Sequence, residues 1–187
     1  AVTHRVNPIM QTCIGPSEEH VSMTGIPTEA SILDMVERAM PGRVQNVYAH
    51  SSGGGKFIAV IQFKKTVPSD EGRQRQAALL AFSAFPELKQ VILVDEDVDI
   101  FDTNDVLWAM TTRMQADVDI VTIPGVRCHP LDPSNDPACS WSIRDHGIAC
   151  KTIYDATVPF NQKARFQRAK FMEVDVKKFL PDFTVQD

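Results

Sequence analysis

The densest group of side chains that could do chemistry is the acidic run Asp95-Glu96-Asp97-Val98-Asp99. Carboxylates at alternating positions can bind calcium in an EF-hand loop, which also needs glycine at its sixth position and glutamate at its twelfth. Those positions hold Ile100 and Val106 here, which argues against calcium. The run instead predicts a strand end leading to a helix capped by Asp102, where carboxylates are favourable to the helix dipole.

A second candidate is the glycine run Gly53-Gly54-Gly55 followed by Lys56. A phosphate-binding loop needs glycine at position 50 and serine or threonine at position 57, and these are His50 and Phe57. Two interpretations remain open, a flexible hairpin turn and a functional loop. Three successive glycines cost entropy on folding, which suggests that the backbone must approach another group closely.

The cysteines and histidines form a third candidate group. Structural zinc sites usually pair their ligands closely in sequence, and the set Cys128, His129, Cys139, His146 and Cys150 lacks that spacing. A self-contained metal hydrolase is therefore poorly supported. No Gly-x-Ser-x-Gly sequence marks a nucleophile elbow, and each histidine by itself is a weak signal.

The elements that must position these groups follow from hydrophobic periodicity and from helix and turn signals. Residues 2–5 and 9–13 are expected to be extended, and 124–142 to form a long ordered loop. We further predict a short helix opening at Ser17, a helix over 28–40, a hairpin of 44–50 and 56–64, a helix over 69–85 capped by Ser69, a strand over 91–94 buried on both faces, a helix from Asp102 to Arg113, and strands over 118–123 and 148–153. This order predicts an α+β fold, close to α/β, in which a mixed β-sheet is flanked by helices.

Composition narrows the class of protein. The chain has 187 residues, 43% hydrophobic and 23% charged, with a net charge of -5, which suits one globular domain. No basic stripe indicates nucleic-acid binding, and the basic stretch 163–168 is interpreted as a solvated helix face. No apolar run is long enough for a membrane span. Four scattered cysteines favour the reducing cytoplasm, and the strand-like start suggests that the chain begins inside a longer protein.

Five stretches in order resemble the C-terminal region of UbiD-type decarboxylases. They are 3–9, 15–20 (GPSEEH), 91–102 (VILVDEDVDIFD), 105–113 (DVLWAMTTR) and 131–134 (LDPS). The resemblance covers nearly the whole chain and fades after Phe160. Within the family, residues 27–31 (PTEAS), 46–57 (NVYAHSSGGGKF) and 70–73 (DEGR) resemble the gallate and protocatechuate decarboxylases.

The resemblance implies a C-terminal domain over 1–160 that covers substrate and carries subunit contacts, followed by a charged, partly helical tail over 161–187. It implies prenylated FMN with a divalent metal, both bound by an N-terminal domain absent from this chain, together with a Glu-Arg-Glu catalytic centre there. The complete protein would be a carboxy-lyase and a homo-oligomer, at least a dimer. This chain alone would be inactive, with no catalytic, cofactor or metal residues of its own.

The resemblance also implies substrate-binding residues. His20, Lys56 and His129 would face a hydroxylated aromatic acid, and Ile9 and Val126 would line its ring. Imidazole and ammonium groups can accept a phenolic proton or stabilise the oxyanion, and they would disfavour a substrate without hydroxyls. The rival hypothesis is an assembly domain with no part in a pocket, in which case these polar residues would lie on opposite faces. The choice between gallate and protocatechuate stays open.

Overall fold

The computed structural model describes residues 6, 18–130, 132–135, 147–169, 172 and 174–179. The predicted extended segments 2–5 and 9–13, and much of the predicted loop 124–142, lie outside these residues. The helices are α1 Glu18–Ala39, α2 Arg73–Ala84, α3 Thr103–Arg113, α4 Ala116–Asp119 and α5 Val176–Phe179; the strands are β1 Val44–Ala49, β2 Ile58–Phe63, β3 Gln90–Val94, β4 Ile120–Arg127 and β5 Ile148–Ala156. None of the described helices has the length and apolar character needed to cross a bilayer.

One mixed sheet forms the centre of the described fold. Its strand order is β1-β2-β3-β5-β4. Strands β2, β3 and β5 run parallel, whereas β1 and β4 are antiparallel to their neighbours at the two edges. The predicted mixed sheet with flanking helices is therefore confirmed, and so is the hairpin, although β2 begins at Ile58 rather than at Lys56.

Strand β3 is buried on both faces, as its uninterrupted apolar sequence predicts. Val91 and Leu93 belong to a core cluster shared with α1 and α2. Ile92 and Val94 belong to a second cluster shared with α3. Because successive side chains of a strand point to opposite faces, one short strand joins both hydrophobic layers.

Helix α1 runs without interruption through Pro27, so the prediction of two separate helices over this region was wrong. Proline removes a backbone donor and usually kinks or ends a helix. Here the next residue, Thr28, is buried, and its hydroxyl donates to the carbonyl of Thr24 at 2.8 Å. The helix continues because tertiary packing outweighs the local signal.

Helix α2 begins at Arg73, and the prediction that Ser69 caps it was wrong. Ser69 lies in a 3₁₀ turn, Pro68–Asp70, and Gly72, with φ 88°, precedes the helix. The buried Asp70 carboxylate accepts from the backbone N–H groups of Thr66 and Val67. These bonds hold the 3₁₀ turn, so the helix starts only after the left-handed glycine has redirected the chain.

Strand β4 begins at Ile120 and is preceded by the short helix α4, although the sequence predicts a strand from Val118. It extends to Arg127, past Pro124 where the loop was expected, through an irregularity in its pairing with β5 between Ile123 and Val126. Gly125 adopts φ 72° there. A bulge of this kind tolerates the proline that a regular ladder would exclude.

Candidate functional site

The glycine run forms a compact turn between β1 and β2. Residues Ser51–Gly53 make one 3₁₀ turn, and Gly54 and Gly55 follow with φ values of 62° and 70°. The carbonyl of His50 accepts from the N–H groups of both Gly53 and Gly55. Two successive left-handed residues favour glycine because a side chain would clash with its own backbone, so the glycines suit the backbone geometry that this turn requires.

The turn packs against the backbone of α1. A Cβ atom placed on Gly55 would lie 2.9 Å from the carbonyl oxygen of Val21 and 3.0 Å from the Cα of Gly25. A Cβ atom on Gly54 would meet nothing within 4 Å. The close approach expected from three glycines therefore occurs at Gly55, and it places Lys56 beside the first turns of α1.

The two glycines offer a matched comparison. Gly54→Ala should lower the free energy of unfolding by about 1 kcal/mol, because alanine is strained in the left-handed region. Gly55→Ala carries the same strain plus overlap with α1, and should lower it by about 2 to 3 kcal/mol. Urea denaturation of both variants measures the difference. Equal losses would show that contact between the turn and α1 contributes nothing.

His50 joins this turn to helix α3. Its Nδ1 accepts from the Ser52 N–H at 3.1 Å, and its Nε2 lies 2.8 Å from the Thr103 hydroxyl oxygen. A neutral ring with the proton on Nε2 satisfies both contacts. The His50 ring also packs edge-on against Tyr48, with 5.3 Å between centroids. The turn is thereby fixed at its base.

His129 approaches the other side of the turn. Its ring is perpendicular to that of Phe57, with 5.7 Å between centroids. Its Nε2 lies 3.4 Å from the Glu87 carboxylate, and the His129 side chain is 14% exposed. We call residues 128–130 and 132–134 the histidine loop, and residues 51–56 the lysine turn. Since Phe57 directly follows Lys56, the histidine loop and the lysine turn meet at the amino-terminal edge of the parallel strands.

The LDPS sequence supplies the anchor of the histidine loop. Asp132 is buried, and its carboxylate accepts from the Lys89 ammonium at 2.7 Å and from the Ser134 N–H at 3.0 Å. Burial opposes ionisation of Asp132, but the hydrogen bonds from Lys89 and Ser134 outweigh it and lower the pKa of the carboxyl. The Asp132 N–H also donates to the carbonyl of His129. The motif is therefore a capped turn tied to the sheet.

The structure brings together the elements that carry three of the five predicted site residues. His20 lies in the first turn of α1, directly before Val21, which contacts Gly55. Lys56 is half-buried, and within the described residues its ammonium group makes no hydrogen bond or ion pair. His129 reaches the same turn through Phe57.

Of the two apolar candidates, Val126 is the one that lies within the described residues. Val126 pairs with Ala149 on the edge strand β4, which β3 and β5 separate from β2. Ile9 lies outside the described residues. Two surface clefts flank the glycine turn, of about 430 and 400 Å³. Neither cleft is lined by His20, Lys56 or His129.

The acidic run lies at the opposite, carboxyl end of β3 and forms ion pairs. Asp97 makes two contacts with Arg113, at 2.8 and 2.6 Å, and Arg168 pairs with Asp105 at 2.7 Å. Lys163 contacts Glu96 at 2.8 Å. The predicted Asp102 cap is confirmed, since its carboxylate accepts from the Asn104 N–H. The basic stretch interpreted as a solvated face instead holds residues 160–168 on the domain.

No metal centre is assigned to the described residues, which contain no group of three histidine, cysteine or acidic side chains suited to a metal ion. Cys139 and His146, from the weighed zinc set, lie outside them. Cys128 and Cys150 are free cysteines.

Comparison with known proteins places the chain in a family. The family model of the 3-octaprenyl-4-hydroxybenzoate carboxy-lyase C-terminal domain matches residues 21–156. Gallate decarboxylase of Lactiplantibacillus plantarum is 62% identical over 182 residues, which cover 96% of this chain and 37% of that protein. The chain belongs to the UbiD carboxy-lyase family and corresponds to its C-terminal domain.

Solved structures agree with this placement. The apo structure of 3,4-dihydroxybenzoic acid decarboxylase from Enterobacter cloacae matches with 62% identity and a TM-score of 0.84, over 94% of this chain and 36% of that one. The UbiD-class enzyme HmfF from Pelotomaculum thermopropionicum, in complex with FMN, matches with 34% identity and a TM-score of 0.80, over 96% of this chain and 38% of that one. The chain thus spans little more than a third of the length of the relatives it matches.

Proposed function

We propose that this chain is the part of a prenylated-FMN-dependent hydroxybenzoate decarboxylase that completes the substrate pocket. Its similarity to decarboxylases of gallate and of 3,4-dihydroxybenzoic acid, the latter also called protocatechuate, supports that substrate class. The observation that carries the proposal is the meeting of α1, the Lys56 turn and the His129 loop at one edge of the sheet. An assembly domain would have no need for the elements that carry these polar groups to meet.

The chemistry assigned to this chain concerns the phenolic hydroxyls. The prenylated flavin, when bound, supplies the chemistry of carbon–carbon bond cleavage. The Lys56 ammonium would stabilise a phenolate oxygen, and the imidazoles of His20 and His129 would accept or return its proton. A substrate without hydroxyls would give the Lys56 ammonium no oxygen to bind in a closed site and would bind weakly.

The flavin, its divalent metal and the Glu-Arg-Glu centre are assigned to an N-terminal domain, which is this chain's first partner. We further propose a homo-oligomer, at least a dimer, in the cytoplasm. An assembly function without a pocket is the second candidate, and exposed apolar side chains favour it. Met23, Ile26 and Phe101 are 78%, 63% and 61% exposed around the cleft beside α1.

A paired assay tests the proposal. This chain and the complete polypeptide are each reconstituted with prenylated FMN and a divalent metal, then given gallate and protocatechuate, and carbon dioxide release is measured. Release by the complete polypeptide alone is the expected result. The flavin-free complete polypeptide is the matched control. Release by this chain alone would contradict the proposed division of labour, and no release by either would contradict the substrate class.

A further inference from the structure

We propose that Glu87 and Lys89 are positioning residues, which set the distance between the His129 loop and the Lys56 turn. Both belong to the segment Pro86–Lys89, which connects α2 to β3 and which we call the connecting segment. This inference rests on the proposed function of His129 and Lys56, and it adds residues whose role is to place those groups. Neither Glu87 nor Lys89 is proposed to contact the substrate.

The connecting segment binds the histidine loop through the side chain of Lys89. The Lys89 ammonium donates to Asp132 and contacts the Ser134 hydroxyl. The Asp132 side chain is 5% exposed, so its charge is stabilised by these partners rather than by water. One ion pair, between the partly exposed Lys89 and the buried Asp132, therefore holds the loop three residues after His129.

Glu87 holds the same loop on the other side of the histidine. Its backbone carbonyl accepts from the Cys128 thiol at 3.3 Å, and its carboxylate lies 3.4 Å from Nε2 of His129. The loop is thus bound immediately before the imidazole, at the imidazole and after it. A carboxylate beside one ring nitrogen fixes the orientation of a histidine ring in the way that supporting groups do in catalytic sites.

The connecting segment also holds the lysine turn. The backbone N–H groups of Lys89 and Gln90 both donate to the carbonyl of Phe57, at 3.0 and 2.8 Å. Phe57 follows Lys56 in the chain and touches the His129 ring. A single short stretch therefore bonds to the residue after Lys56 and to the residues around His129.

A buried lysine supports the segment from below. Lys151 on β5 is 5% exposed, and its ammonium donates to the carbonyls of Pro86, at 2.7 Å, and Leu88. It also lies 5.0 Å from the centroid of the Phe82 ring. Burial lowers the pKa of Lys151. These contacts hold the connecting segment rigidly, which a positioning role requires.

The anchoring itself is tested without turnover. In the complete polypeptide, Lys89→Met should raise the amide hydrogen-exchange rates of Cys128, His129, Asp132 and Ser134 by about 10-fold, because the buried Asp132 carboxylate loses its partner. Lys89→Arg should restore most of the protection, since it keeps the cation. Lys64→Met, which replaces an exposed lysine, is the control. Unchanged exchange in Lys89→Met would overturn the anchoring.

The link to the proposed function is tested by a double-mutant cycle on kcat/KM for protocatechuate. Alone, Lys89→Met and Glu87→Gln should each lower it by about 10-fold. In a His129→Ala background the same changes should alter it by less than about 2-fold, because no imidazole is left to position. Equal losses in both backgrounds would overturn the positioning role. Faster exchange without any effect of His129→Ala would instead overturn the proposed function of His129 and leave the anchor standing.

Discussion

Arg113→Met should lower the free energy of unfolding by about 3 to 5 kcal/mol, because it leaves the buried Asp95 carboxylate without its nearest cation. The Arg113 side chain is 2% exposed and lies 3.1 Å from the Asp95 carboxylate, which is 5% exposed. It also contacts Asp97 at 2.6 Å. Methionine fills a similar volume but supplies no charge, so the loss reports the weakened pairing of the two carboxylates rather than a cavity. Among the described residues, Asp95 keeps an ion pair only with Lys163, at 3.8 Å, and Asp97 keeps Arg168, at 3.3 Å. Urea denaturation of the two proteins measures it.

The matched control is Arg38→Met. Arg38 pairs with Asp34 at 3.0 Å, but their side chains are 78% and 61% exposed, and exposed pairs contribute at most about 1 kcal/mol. A second variant, Arg113→Met with Asp95→Asn, should recover part of the loss, since asparagine can still accept from the Val158 N–H. A loss below about 1 kcal/mol in Arg113→Met would show that the buried pairs are stabilised by something other than this guanidinium.

The loss in Arg113→Met should also depend on pH. Burial raises the pKa of Asp95 even though Val158, Lys163 and Arg113 favour its charged form. A folded pKa above the unfolded value means that protonation favours the folded state. The contribution is full below the unfolded pKa and is lost as the pH rises through the folded pKa. Without Arg113, Asp95 should take up its proton more readily. The free energy of unfolding lost in Arg113→Met should therefore be smaller at about pH 4.5 than at about pH 7.

The sequence predicted the central strand and helix α3 because their signals are local. An uninterrupted apolar run marks a strand buried on both faces, and a carboxylate at Asp102 can cap the following helix without help from elsewhere. Helix α1 was mispredicted for the opposite reason. Pro27 carries a local signal to stop, whereas the contact of Gly55 with Gly25 that supports continuation depends on residues 30 positions apart in the chain.

The candidate site divides in the same way. His20, Lys56 and His129 could be named because they lie in short sequences that resemble a family. Lys89 could not, because its partner is 43 residues away and no pattern around it distinguishes it from an exposed lysine. The partners of the acidic run were missed likewise, since Arg168 lies 71 residues from Asp97. The charge of a residue does not indicate which distant residue of opposite charge will lie next to it in the fold.

Lys56→Met in the complete polypeptide should lower kcat/KM for protocatechuate by about 100- to 1000-fold, the range found when a group that stabilises a developing oxyanion is removed. Lys56 suits that role because the residue is half-buried and its ammonium, among the described residues, has no partner to give up. Lys56→Arg keeps the charge but not its position and should recover only part of the loss. His20→Ala and His129→Ala should each cost about 10- to 100-fold.

Lys64→Met serves as the control for these activity measurements, since it removes an exposed positive charge directly after β2, at the opposite end of that strand from Lys56. The substrate also offers a discriminating comparison. If Lys56 acts on a phenolic oxygen, its loss should weaken binding of protocatechuate far more than binding of benzoate, which lacks hydroxyls. If kcat/KM changes by less than about 2-fold in each of Lys56→Met, His20→Ala and His129→Ala, these residues do not bind the substrate as proposed. A change in subunit assembly at unaltered kcat/KM would favour the assembly function. A glycine turn packed on α1 can hold a subunit contact in place just as it can hold Lys56 in place.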